Sequence, residues 1–277
     1  MTSHYITYRQ SRIHYRKIGS GHNISVCFHG FGEFAATFDQ VKDHLPEQIT
    51  LLSIDLPFHG ETIWNEGLDF TPDELLCIIN ALPEIKEDMF GVIGYSMGGR
   101  VALSLFQFIP ARITHILLMA PDGLKVNFWY WFATQTSAGN RLFNYTMRRP
   151  GWFVNMLALL KKTGLANESI SKFVNKYLDD KVTREKIYTI WTVMRKFKPA
   201  LKKIKQLVKE KNIPFKIVYG RYDHIIRYHT GLSFAQDIKE HCEIVILDCG
   251  HQVLHRKNAE QIAWALHQNI SHLKVLS

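Results

Sequence analysis

A chain of 277 residues that is 46% hydrophobic and 21% charged can bury a large core, which excludes a disordered or fibrous polypeptide. Residues 1–10 are polar and alternating and lack the apolar run of a secretory signal, and the apolar stretches at 116–120 and 128–133 fall far short of a membrane span. The net charge of +9 admits anionic partners, but seven lysines crowd into residues 196–211, so the excess is local and nucleic acid is not expected.

In chain order, residues 4–9 and 12–18 alternate on either side of Gln10-Ser11 and predict an opening β-hairpin. Apolar runs at 24–28, 49–54, 90–94 and 113–119 have strand length and the continuous hydrophobicity of strands buried on both faces of a parallel sheet. Helical patterns at 36–45, 72–82 and 97–108 lie between them, the second opened by Thr71 and Glu74 as a capping box. Strand and helix alternate, the signature of an α/β fold. The alternation stops after Pro121 and resumes at Pro214 with strands at 215–219 and 243–247, a helix at 228–239 between them and a last helix at 258–270.

Residues 122–212 carry helical patterns and no strand, so a core of 1–121 and 213–277 is expected to hold a helical cap insertion, punctuated at Pro150-Gly151, Gly164 and Pro199. Cys27, Cys77, Cys242 and Cys249 lie singly in apolar segments, as reduced core residues of a cytoplasmic protein do. The 14 histidines show no metal-ligand spacing, and no metal is expected.

The strongest chemical signal is Gly94-Tyr95-Ser96-Met97-Gly98, a G-x-S-x-G pattern that follows a predicted strand and opens a predicted helix. The small residues permit a sharp turn with Ser96 at its apex. A serine hydroxyl needs a histidine to take its proton, and that histidine needs a carboxylate to fix its tautomer.

On this elbow and its context the chain resembles the α/β-hydrolase superfamily, which implies a mostly parallel central sheet flanked by helices. The resemblance extends to Phe28-His29-Gly30-Phe31-Gly32, where the family builds half of its oxyanion hole; it implies that the amides of Phe31 and Met97 are the donors and that His29 braces the loop. Asp55-Leu56-Pro57-Phe58-His59-Gly60-Glu61-Thr62 is similar to the family's D-x-P-G-x-G-x-S segment, with Phe58 replacing the first glycine and Asp55 a loop-bracing carboxylate. Tyr219-Gly220-Arg221-Tyr222-Asp223 resembles the G-x-x-D loop that supplies the acid, although Ile226-Arg227 stand near the usual proline; Asp122 is the other candidate. Asp248-Cys249-Gly250-His251 matches the terminal G-H motif and makes His251 the base, with His255 its nearest rival.

The expected activity is hydrolysis of a carboxylic ester, as in a carboxylesterase or lipase, on a small-molecule ester or acyl substrate. The stretch from Gly94 to Leu103 also resembles the elbow of the menaquinone-pathway lyase, and Arg100 would suit its anionic substrate. A small-molecule binding protein with little turnover is the third alternative. Trp129 and Trp131 in the run Phe128-Trp129-Tyr130-Trp131-Phe132 are candidates to line an acyl pocket or to pack the cap. The helix over 201–211 sets Leu201, Ile204, Leu207 and Val208 opposite lysines, so it is either a cap helix with a solvated face or a peripheral contact for anionic membrane. No cofactor is expected, because the glycine-rich motifs of NAD and ATP sites are absent.

Overall fold

Strands buried at all six positions need cover on both sides, and β4 (Ile49–Ile54), which includes Thr50 and Ser53, and β5 (Phe90–Tyr95) are buried at every position. In the computed structural model, which describes residues 1–85, 89–125, 128–162 and 180–271, these strands lie inside an eight-stranded sheet. The other strands are β1 (Thr2–Tyr8), β2 (Ser11–Gly19), β3 (Asn23–Phe28), β6 (Ile113–Met119), β7 (Phe215–Gly220) and β8 (Cys242–Leu247), in the order β1-β2-β4-β3-β5-β6-β7-β8. The hairpin β1–β2 and the pair β2–β4 are antiparallel; the remaining pairs are parallel. The alternating exposure of β1 is that of an edge strand with one wet face.

The helices between strands form where the apolar spacing requires. α1 (Pro72–Asn80) is opened by the expected capping box, with Thr71 Oγ1 accepting from the Glu74 amide and Glu74 Oε2 accepting from the Thr71 amide. α2 (Met97–Phe108) buries nine of its twelve residues, as a helix wedged between the sheet and other elements must. The helix expected at 36–45 is a 3-10 helix, Ala35–His44.

Backbone packing divides the chain into two units, Met1–Lys125 with Lys196–Ser277, and Val126–Arg195. The second unit contains α3 (Phe128–Gln135), α4 (Ser137–Arg148), α5 (Gly151–Lys162) and α6 (Lys181–Val193). It is shorter than the expected insertion of 122–212, because α7 (Leu201–Lys211) buries Ile204 and Val208 and packs on α2 within the first unit. The end of a strand pattern locates a change of secondary structure, not a change of packing partner. Gly164, an expected helix break, lies outside the described residues. The first unit is completed by α8 (His229–Ala235), continued by a 3-10 turn through Ile238, and by α9 (Ala259–Ser271). Of the cysteines, Cys27 and Cys242 are buried, whereas Cys77 is exposed on α1 and does not belong to the core.

His115, on β6, is fully buried between the hydroxyls of Ser25 and Thr114, at 3.0 and 2.9 Å, and burial pushes its pKa down to about 4. The unfolded chain binds a proton near the ordinary value of 6.5 that the folded chain refuses, so stability present above pH 6.5 drains away as pH falls toward 4. Denaturant titrations should record a loss of about 3 kcal/mol over that interval from this group. The His115→Gln variant should be less stable at neutral pH and lack that share of the acid dependence; an unchanged slope would contradict the assignment.

Candidate active site

The turn from β5 into α2 holds Ser96 at φ 50° and ψ −115°, a conformation that costs a non-glycine residue on the order of 1–3 kcal/mol. Surrounding contacts over-determine it. The Ser96 amide donates to the Met119 carbonyl at 2.9 Å, and the Ser96 carbonyl accepts from the amides of Gly99 and Asp122, each at 2.9 Å. Gly98 is obligatory by close approach, since a Cβ there would lie 1.9 Å from the Phe28 carbonyl oxygen. At Gly94 a Cβ would meet the Gly98 carbonyl oxygen at 2.5 Å.

The structure brings Ser96, His251 and Asp223 together from the ends of three different strands. Ser96 Oγ lies 3.1 Å from His251 Nε2, and His251 Nδ1 lies 2.7 Å from Asp223 Oδ2. The other Asp223 oxygen accepts from the amides of Ile225 and Ile226 at 2.7 and 2.9 Å, so the residues after the G-x-x-D loop hold the carboxylate without the usual proline. Burial opposes ionisation of Asp223, but the His251 ring and the two amides outweigh it and leave the carboxyl below its ordinary pKa. It is therefore ionised throughout the neutral range and accepts the hydrogen bond from His251 Nδ1–H that fixes the tautomer.

The rivals are engaged elsewhere. Asp122 accepts from Arg100 Nη2 at 2.5 Å and from the Gly123 amide at 2.7 Å. His255 is exposed, and its Nδ1 accepts from the Lys257 amide at 3.2 Å. Arg100, a candidate for substrate carboxylates, has its side chain 11% exposed and bound to Asp122. Trp129 and Trp131 lie on α3 in the second unit and are 73% and 45% exposed, so neither is a buried wall residue.

Met97 occupies the first position of α2, where an amide has no intrahelical acceptor. Among the described residues neither the Met97 amide nor the Phe31 amide donates to a protein acceptor. The loop bearing Phe31 passes close to the serine: a Cβ on Gly30 would sit 3.2 Å from Ser96 Cβ. His29 ties this loop to the next, with Nδ1 donating to the Gly30 carbonyl at 2.8 Å and Nε2 accepting from the Leu56 amide at 3.1 Å.

Asp55 is almost wholly buried and accepts from the amides of Ala35 and Glu61 and from His14 Nδ1 at 2.7 Å. A Cβ on Gly60 would fall 1.9 Å from Asp55 Oδ2. Phe58, at the position where the family has glycine, adopts φ 64°, so the loop keeps the left-handed conformation and the phenylalanine bears the strain. Two supporting side chains escape motif reasoning. His14 is buried on β2 and meets Asp55 although it shares the strand phase of Arg12 and Arg16, so the alternation of the strand gives no sign of the pairing. Tyr95, between the elbow glycine and Ser96, donates its hydroxyl to the His251 carbonyl at 3.2 Å, which no local pattern encodes.

Among the described residues no group of three or more His, Cys, Asp or Glu side chains is placed to hold a metal ion. No described helix is long and apolar enough to cross a membrane.

The family model described as alpha/beta hydrolase fold matches residues 26–257, and the chain belongs to that family. It is 22% identical over 236 residues to the Bacillus subtilis hydrolase YugF, covering 84% of this chain and 85% of the relative. With the human monoacylglycerol lipase ABHD6 it shares 24% identity over 256 residues, 84% of this chain and 72% of the lipase. A solved esterase from Thermogutta terrifontis superposes with a TM-score of 0.69 at 17% identity, covering 99% of each chain, a likeness of fold.

Because Asp55 serves as a brace with three donors, Asp55→Ala should cost about 2–5 kcal/mol in a urea titration through the buried donors it orphans. A loss below about 1 kcal/mol, within the range of a surface substitution, would contradict that role.

Proposed function

We propose that the protein is a carboxylic ester hydrolase that works through an acyl-enzyme on Ser96. The observation that carries this is the continuous hydrogen-bonded line from Ser96 Oγ through His251 to a buried, ionised Asp223. His251 Nε2 accepts the Ser96 proton as Oγ attacks the ester carbonyl. Negative charge developing on the carbonyl oxygen is met by the amides of Met97 and Phe31, donors already unpaired and so needing no rearrangement. His251 then gives the proton to the departing alkoxide. A water enters and loses a proton to His251 as it attacks the acyl carbonyl, and His251 passes that proton to Ser96 Oγ as the acyl–oxygen bond breaks and the acid leaves. Asp223 holds the imidazole in the tautomer that presents a lone pair to serine and stabilises the imidazolium between transfers. The lipase name of a relative matched over most of this chain is consistent with an ester as the scissile group.

A lyase reading has one observation in its favour. The chain is 31% identical over 119 residues, 41% of its length, to a Bacillus subtilis protein named as a 2-succinyl-6-hydroxy-2,4-cyclohexadiene-1-carboxylate synthase. The Arg100–Asp122 pair weakens it, because the cation invoked for an acidic substrate already has its carboxylate.

Hydrolysis of a p-nitrophenyl ester series should be abolished by Ser96→Ala, a fall of at least about 10³-fold. Asp223→Asn should lower kcat about 10⁴-fold by favouring the wrong tautomer, while Asp122→Asn should stay within about tenfold of the native enzyme. Turnover that survives Ser96→Ala, or equal losses in the two aspartate variants, would overturn the assignment. No turnover by folded native protein, with elimination from the anionic precursor instead, would establish the lyase.

A further inference from the structure

Large aromatic side chains are not left in water without consequence, and the second unit exposes several of them beside positive charge. On α3, Phe128, Trp129 and Trp131 are 60%, 73% and 45% exposed, and the Phe128 ring contacts both tryptophans at centroid distances of 5.4 and 6.0 Å. On α4, Arg141, Leu142, Tyr145 and Arg148 are exposed at spacings that put them along one helix face, and exposed Arg149 follows at the helix C-cap. Trp152, at the start of α5, continues the patch with its ring 6.4 Å from that of Tyr145. Among the described residues none of the three arginines has an acidic partner. Residues 126–195 carry eleven Lys and Arg against four Asp and Glu, so this stretch too is basic.

We infer that this basic and aromatic face is a docking surface for an anionic lipid bilayer. Tryptophan and tyrosine partition to the boundary between headgroups and acyl chains, where a ring can be buried while its polar edge stays wet. Unpaired arginines supply the attraction that brings the face to a negatively charged surface. The charge sign favours this occupant over a second copy of the chain, whose identical face would repel it. The site differs from the basic stripe on α7, where Ile204 and Val208 are buried in the core and unavailable to lipid.

The test is co-sedimentation of the full chain with vesicles of phosphatidylcholine alone and of phosphatidylcholine with about one-third phosphatidylglycerol. Native protein should sediment with the anionic vesicles only, and added salt should release it. Arg141→Glu/Arg148→Glu/Arg149→Glu should weaken binding at least about tenfold with an unchanged Tm. Trp129→Ser should weaken it as well and remove most of the blue shift in tryptophan fluorescence on adding vesicles. Lys202→Glu/Lys203→Glu on α7 should bind as the native protein does. Failure of the native protein to sediment, native-like binding by the arginine and Trp129 variants, or loss of binding only in the α7 variant would each overturn the proposal. Concentration-dependent self-association abolished by the arginine variant would do so too, by assigning the face to a second copy. The readout is binding, so its failure is separable from failure of the ester-hydrolase proposal.

Discussion

The arrangement depends on one strained residue. Ser96 sits at φ 50° because its amide and carbonyl are clamped by Met119, Gly99 and Asp122, while the absence of a side chain at Gly94 and Gly98 lets strand and helix meet. Relaxing the residue would break hydrogen bonds between β5, β6 and α2, so the sheet itself maintains the strain. The result is a hydroxyl projected from the apex of the turn and an amide, that of Met97, left unpaired at the start of α2. Positioning of the hydroxyl and an unpaired amide beside it thus follow from a single backbone constraint.

Around that apex the parallel strands bring together residues far apart in sequence. Asp223 and His251 follow β7 and β8, whose register places the two loops side by side at the same edge as the elbow. The carboxylate is buried, yet two amides and an imidazole hold it ionised, and the neighbouring loops are cross-braced by His29 and by Asp55 with His14. Rigid support of this kind keeps the Ser96–His251 separation at hydrogen-bond length rather than leaving it to loop motion.

Much of this was legible in the sequence because it depends on local rules. Continuous apolar runs identify strands buried on both faces, a capping box marks the start of α1, and the elbow announces itself by glycine spacing between a strand and a helix. What was illegible depends on tertiary placement. Nothing local says that Arg100 and Asp122, 22 residues apart, neutralise each other, or that Tyr95 reaches the carbonyl of His251. The helical stretch could be recognised, but its packing boundary at Arg195 could not, since α7 has the same amphipathic pattern whether its apolar stripe faces α2 or another helix. The aromatics of α3 were visible as a run, but composition cannot distinguish rings that line a pocket from rings that face water.

Whether Ser96 is a nucleophile activated by His251 is decided by the intact mass of the protein after exposure to a fluorophosphonate, followed by peptide mapping. A single adduct on Ser96, formed rapidly in the native protein and very slowly in His251→Ala, is the predicted result. No adduct, an adduct on another residue, or a labelling rate indifferent to His251 would contradict it.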